Sequence, residues 1–294
     1  MARAFGCGDH AGHGCIALGT AVFAASAAAG GLRCTVCGGR VMSAALLQVS
    51  DLVRHFSGVR AVDGVSLQVT AGQCVALIGP NGAGKSTTFA CIAGQQNPDA
   101  GQVLWQGQSL LGRTARQRLE RGVCRSFQVA QVFEALSVLG NVQLALQARA
   151  GNLSIWRALS MFEREQAMDL LEQAGLADLS DRSAASLPYG AKKRLELAMV
   201  LAGQPRLLLL DEPAAGLAEQ ERTELMTWVK SLAGQGLAVL YTEHNMDAVA
   251  GVADHVLVLI EGRIAAQGRF EQVAADPFVQ ERYLGHHAVA PRHA

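Results

Sequence analysis

Gly79-Pro80-Asn81-Gly82-Ala83-Gly84-Lys85-Ser86-Thr87 decides the reading of this chain. The nine residues fit G-x-x-x-x-G-K-[ST], a loop that cradles phosphate groups. Their surroundings agree with the motif. Cys74-Val75-Ala76-Leu77-Ile78 is an apolar run that predicts a buried strand leading into the loop. Ser86 to Ala93 predicts a helix leading out of it, with Gly94 as the C-terminal stop. The glycines let the backbone curl so that successive N–H groups point inward. The helix adds free N–H groups and the positive end of its dipole. Lys85 is placed to reach β- and γ-phosphates as a point charge, and Ser86 to offer its hydroxyl to Mg²⁺. The bland alternative is a glycine-rich turn that binds nothing, and the strand, loop and helix in succession argue against it. The loop predicts a nucleoside triphosphate site without saying what the triphosphate is for.

Working outward, the chain has 294 residues, enough for one large domain or two small ones. Half are hydrophobic, so a sizeable core is available. Lysine and arginine number 25, aspartate and glutamate 25, which leaves no strongly basic face to suggest a nucleic-acid partner. The seven cysteines show no framework spacing, which points to a reducing compartment. Cys74, Cys91 and Cys124 lie in apolar or strand-like contexts and are expected to be buried thiols.

Residues 1–41 differ from the rest: they are rich in Gly, Ala and Cys. Cys34-Thr35-Val36-Cys37 is a C-x-x-C pair, and with Cys7, Cys15, His10 and His13 there are ligands enough for a zinc site, although no second tight pair accompanies it. The uncharged stretch 15–32 has too few strong apolar residues and too weak a basic flank for a signal peptide. The expectation is a disordered extension, or sequence upstream of the true start, with Met42 a credible alternative start.

From Leu46 an organised pattern begins. Leu47–Val53 and Val65–Val69 alternate as strands, and Arg54–Gly58 reads as a turn carrying one aromatic, Phe56. Asn97–Gly101 is a turn before a short strand at Val103–Trp105. These early strands predict an antiparallel β layer, with the phosphate loop rising from a different sheet. Residues 113–200 read mostly as helix, with a break at Arg125-Ser126-Phe127-Gln128; Met161, Met168, Leu170 and Leu171 fall at helical spacing and are read as core. After Leu187-Pro188-Tyr189-Gly190, a helix from Ala191 carries Lys192, Lys193 and Arg194 in its first turn. Cations there oppose the dipole. They are read either as placed to meet an anion or as a solvated face.

Leu207-Leu208-Leu209-Leu210-Asp211-Glu212-Pro213 is the second strong signal. Four apolar residues predict a buried parallel strand, and two carboxylates at its C-terminal end are costly unless they bind or catalyse. Asp211 suits Mg²⁺ coordination through water. Glu212 is placed to orient and deprotonate an attacking water. Leu237–Thr242 predicts another buried strand ending at Glu243-His244, from which the imidazole can reach a γ-phosphate. Val256–Ile260 and Ile264–Ala266 flank a hairpin turn, and the tail from 286 to 294 is expected to be loose.

The ordered set of phosphate loop, Gln128, Leu-Pro-Tyr-Gly, Leu-Leu-Leu-Leu-Asp-Glu-Pro and His244 resembles the nucleotide-binding subunit of ABC transporters over about residues 46–285. The resemblance implies an α/β fold, a P-loop ABC ATPase domain with a mixed core sheet, an antiparallel β layer and a helical subdomain at about 129–200. It implies ATP and Mg²⁺ as ligands. Phe56 is similar to the aromatic that stacks on adenine, Gln128 to the glutamine that contacts Mg²⁺ or water and senses the membrane subunit, Glu212 to the catalytic base and His244 to the switch histidine. Leu187-Pro188-Tyr189-Gly190-Ala191 stands where the family has Leu-Ser-Gly-Gly-Gln, the segment that meets the partner subunit's ATP. The family's hydroxyl is missing at Pro188, while Gly190 and the helix N-terminus retain an anion-binding character. Ala218 stands where the family's D-loop ends in Asp.

The Tyr-Gly signature, Asp-Glu-Pro-Ala-Ala-Gly and Arg282-Tyr283-Leu284-Gly285 look like the ATPases of branched-chain amino-acid importers, and the insert around 146–165 like the larger of that system's two ATPase subunits. Urea- or amide-importer ATPases and lipopolysaccharide-export ATPases are the neighbouring alternatives. A soluble ABC ATPase of translation or DNA repair is a remote one, since one cassette and no heptad run are present. Intact Lys85, Asp211, Glu212 and His244 argue against a non-catalytic regulatory cassette. The resemblance implies a sandwich dimer with a second ATPase subunit, more a paralogue than a second copy. It also implies two polytopic membrane subunits, a separate solute-binding protein and a peripheral place on the cytoplasmic face of the inner membrane. Residues 46–285 contain no credible spanning segment.

Overall fold

The computed structural model describes residues 45–126, 130–150, 163–244 and 246–283. In chain order the elements are β1 (Ala45–Phe56), β2 (Val59–Thr70), β3 (Cys74–Ile78), α1 (Lys85–Ala93), β4 (Ala100–Trp105), β5 (Gln108–Ser109), α2 (Ala115–Leu119), β6 (Val123–Arg125), α3 (Val138–Arg149), α4 (Arg164–Gln173), α5 (Tyr189–Ala202), β7 (Leu207–Asp211), α6 (Glu219–Gly234), β8 (Ala238–Thr242), α7 (Met246–Ala250), β9 (His255–Ile260), β10 (Arg263–Gly268), α8 (Phe270–Ala274) and α9 (Pro277–Arg282). The sheet order is β2-β1-β4-β5 in an antiparallel layer and β10-β9-β3-β8-β7-β6 in a larger mixed sheet, parallel except at β10. Both sheets expected from the sequence are present.

The apolar runs of β3, β7, β8 and β9 are buried on both faces, and their period of two sorts them cleanly. Val75, Leu77, Leu209, Leu240 and Leu257 face the antiparallel layer and α1. Ala76, Ile78, Leu208, Tyr241 and Val258 face α6 and the elements beyond it. Each fully buried Leu or Val on either face contributes about 1.5–3 kcal/mol. A third core joins α3, α4 and α5 through Val138, Val142, Leu146, Leu171 and Leu195.

Four local readings change. Arg54, His55 and Phe56 are strand, not turn, because they pair with Val62, Arg60 and Val59 of β2, and the Asp99 carboxylate accepts from the His55 N–H (2.6 Å) and from Arg54 (2.7 Å). The turn is Ser57-Gly58 alone. Residues 123–125 are strand β6, not helix, held by parallel pairing with Leu207–Leu209. Helix α5 starts at Tyr189 with Pro188 as N-cap, so Lys192, Lys193 and Arg194 lie beyond its first turn. Each faces a carboxylate: Glu134 at 2.7 Å, Glu196 at 3.9 Å and Glu224 at 3.4 Å. Lys193 is buried rather than solvated. Met161 and Gln128 lie outside the described residues.

The helix that follows the phosphate loop is held at its far end by Arg118, which is 1% exposed. Its guanidinium donates to the carbonyls of Ile92 and Cys91, the latter at 3.3 Å, and to that of Arg113 at 3.2 Å. It thereby reaches the Ile92 carbonyl at the C-terminus of α1 and shares the Cys91 carbonyl with the Gly94 N–H. Arg118→Met keeps the stem and removes the donors. It is expected to lower stability by about 2 kcal/mol, read as a fall in the urea midpoint at unchanged slope.

Candidate functional site

Strands β3, β8 and β7 lie side by side, and their C-terminal ends deliver Gly79, Glu243-His244 and Asp211-Glu212 to one edge of the sheet. Open α/β sheets place ligands there. The phosphate loop turns through Gly82 (φ 81°) and Gly84 (φ 102°), in the left-handed region that favours glycine. A Cβ at Gly84 would run into the Ala61 carbonyl of β2, and one at Gly79 into the Leu259 carbonyl of β9. The loop is therefore seated directly on two strands.

Lys85 is buried, and its ammonium donates to the carbonyls of Gly79 (2.7 Å) and Pro80 (3.0 Å). Burial pulls its pKa below the ordinary lysine value, opposed by the Glu212 and Asp211 carboxylates. Asn81, Gly82 and Ser86 are exposed, Thr87 is half-buried and Ala83 is buried. The Thr88 hydroxyl donates to the Gly84 carbonyl at 3.0 Å.

Asp211 is held at both oxygens: one accepts from Arg125 (2.8 Å), the other from the Thr242 hydroxyl (2.8 Å). That hydroxyl also accepts the Glu212 N–H at 2.9 Å. Glu212 sits at φ 47°, a left-handed conformation uncommon for a non-glycine residue and often found at functional sites. Its carboxylate oxygen is 3.9 Å from Nδ1 of His244, whose side chain is exposed. Glu243 beside it is buried and accepts the Ala214 N–H at 3.0 Å. Burial raises its pKa, and that N–H works against the rise. The Tyr283 hydroxyl, just past the end of α9, donates to the His244 carbonyl at 3.5 Å.

Phe56, 39% exposed, ends β1 on the hairpin whose second strand touches Gly84. Arg54 covers one face of its ring at 4.8 Å, leaving an aromatic surface suited to stacking a base. In the segment 187–191, Pro188 and Tyr189 are exposed, whereas Leu187, Gly190 and Ala191 are buried. A Cβ at Gly190 would meet the Glu221 carboxylate, and one at Gly216 would lie 3.2 Å from the Tyr189 ring. Ala218 caps α6 without a side-chain acceptor, while Glu221 accepts the Ala218 N–H at 3.3 Å.

The arrangement fits a nucleoside triphosphate with Mg²⁺. The hydroxyl of Ser86 and the carboxylate of Asp211 are the hard oxygen donors that Mg²⁺ takes, beside a lysine suited to phosphate. Arg125, Thr242 and Tyr283 escape a reading of the sequence, because their partners lie 86, 31 and 39 residues away. For Tyr283, only its place in the quoted C-terminal segment gave a signal.

Residues 62–215 match the profile of the family described as ABC transporter. The chain is 37% identical over 254 residues to the high-affinity branched-chain amino acid transport ATP-binding protein BraF of Pseudomonas aeruginosa, covering 83% of this chain and 99% of that protein. It is 38% identical over 253 residues to LivG of Escherichia coli K12, which carries the same description, again covering 83% and 99%. The crystal structure of the ADP conformation of MJ1267, an ATP-binding cassette of an ABC transporter, superposes with a TM-score of 0.75 at 30% identity, covering 83% of this chain and all of that one (100%). Motif order, fold and relatives agree, and the chain belongs to the ABC transporter family as one of its ATP-binding, ATP-hydrolysing cassettes.

Proposed function

We propose that this chain is the energising subunit of an ABC importer that takes up branched-chain or other hydrophobic amino acids through separate membrane subunits. The observation that carries this reading is the 37–38% identity to BraF and LivG over nearly their whole length. The cassette spans about residues 46–285, with its helical part at about 129–200. Phe56 stacks the adenine, and the loop from Gly79 to Thr87 wraps the phosphates. Lys85 neutralises the β- and γ-phosphate oxygens, and Ser86, Asp211 and Gln128 hold Mg²⁺. When bound, that ion supplies charge stabilisation at the transferring phosphoryl group. Glu212 takes the proton of the attacking water, and His244 contacts the γ-phosphate. Leu187 to Ala191 close on the ATP of a second ATPase subunit, most simply a paralogue. Among the described residues no helix is long and apolar enough to cross a membrane. The reading places the chain on the cytoplasmic face of the inner membrane, held there by two polytopic partners and served by a separate solute-binding protein.

Gentle detergent extraction of the tagged protein from its own cells tests this, with the co-purifying chains identified. Two polytopic proteins, a second ATPase and an amino-acid-type binding protein are expected. Recovery with lipopolysaccharide-export components, or free of membrane proteins and bound to ribosomes or DNA-repair factors, contradicts it.

A further inference from the structure

The Asp211 carboxylate is clamped from both neighbouring strands. Thr242, its register partner on β8, donates to one oxygen at 2.8 Å. Arg125, at the end of edge strand β6, donates to the other at 2.8 Å. The ion pair is mostly shielded, with side chains 14% and 10% exposed, so solvent screens it little. The second arm of the Arg125 guanidinium donates to Gln95, just beyond the end of α1. Its Nε is buried with no hydrogen-bond partner among the described residues. Arg125 thus bridges the phosphate-loop helix and the β7 carboxylate, and it satisfies an oxygen that a cation or its water shell would use.

We propose that Arg125 is a positioning residue for Asp211 that competes with the divalent cation, so that cation binding draws the carboxylate oxygen away from the guanidinium. This rests on Asp211 serving the cation. A guanidinium at 2.8 Å satisfies the oxygen geometrically and neutralises the charge that attracts Mg²⁺. Cation affinity is thereby lower than the carboxylate alone would give. A purely structural strut between β6 and β7 makes a different prediction: its loss would weaken nucleotide binding equally with and without the cation.

The test is calorimetric titration of ATP into the full-length protein, once in excess Mg²⁺ and once in EDTA. The readout is the ratio of the two dissociation constants, EDTA over Mg²⁺. In Arg125→Met the ratio is expected to rise about tenfold over the parent, the scale of one hydrogen bond to a charged group. Arg125→Lys keeps a cation but cannot span Gln95 and Asp211 together, and its ratio is expected between the two. A ratio in Arg125→Met equal to or below the parent's overturns the proposal. If that variant does not fold, Arg125→Lys decides alone by the same comparison with the parent. Asp211→Asn separates the two readings. It should bring the ratio down towards one, and a ratio left at the parent's value removes Asp211 as the cation carboxylate and the proposal with it.

Discussion

Glu212→Gln is expected to bind ATP about as tightly as the parent and to hydrolyse it roughly 10²–10⁴-fold more slowly, the range a positioned general base contributes. The substitution is nearly isosteric, so the backbone at φ 47° and the N–H donated to Thr242 stay in place. What is lost is a carboxylate that can take a proton. Glu212 is half-buried at the end of β7, and its oxygen lies 3.9 Å from an imidazole nitrogen. Asp211, one residue away, cannot replace it, because Thr242 engages one of its oxygens and the other serves Arg125 or, on the proposed reading, the cation. Binding by equilibrium titration and turnover by phosphate release separate the two effects. Turnover near the parent's rate refutes Glu212 as the base. Loss of ATP binding as well would make its role structural.

Lys85→Ala is expected to weaken ATP binding itself, by about ten- to a hundredfold, which is 1.4–2.8 kcal/mol. Two effects add. On the proposed reading the ammonium is the cation that the loop presents to the phosphates. It also braces the loop by donating to the carbonyls of Gly79 and Pro80, so its removal loosens the cradle. Lys85→Arg is not a rescue, since a planar guanidinium does not fit a site where the lysine is only 6% exposed. Equal ATP affinity in Lys85→Ala and the parent, by the same titration, counts against the phosphate-loop reading.

The parts legible in the sequence are those fixed by local rules. β3 runs over Cys74–Ile78 and α1 ends at Ala93 with Gly94 in the left-handed region at φ 80°, as expected, because a doubly buried strand needs consecutive apolar residues and a helix stop favours glycine. The apolar runs of β7 and β8 were legible for the same reason, and so were the buried thiols of Cys74, Cys91 and Cys124, whose pKa values burial pushes up to about 11. What failed depends on distant partners. β6 is three residues long and is a strand only because β7 pairs with it. Pro188 and Gly190 read as breakers, yet proline suits a helix start and Gly190 fits beneath Glu221. For the cations of α5 the sequence left open an anion or a solvated face, because the carboxylates of Glu134 and Glu224 lie 58 and 30 residues away.

The most direct measurement is ATP-driven uptake of labelled leucine, isoleucine or valine into vesicles holding the complex recovered with its membrane partners. Uptake is expected with the parent cassette and the solute-binding protein present, and none with Glu212→Gln. ATP hydrolysis that moves none of these amino acids, or uptake that persists in Glu212→Gln, would contradict the account.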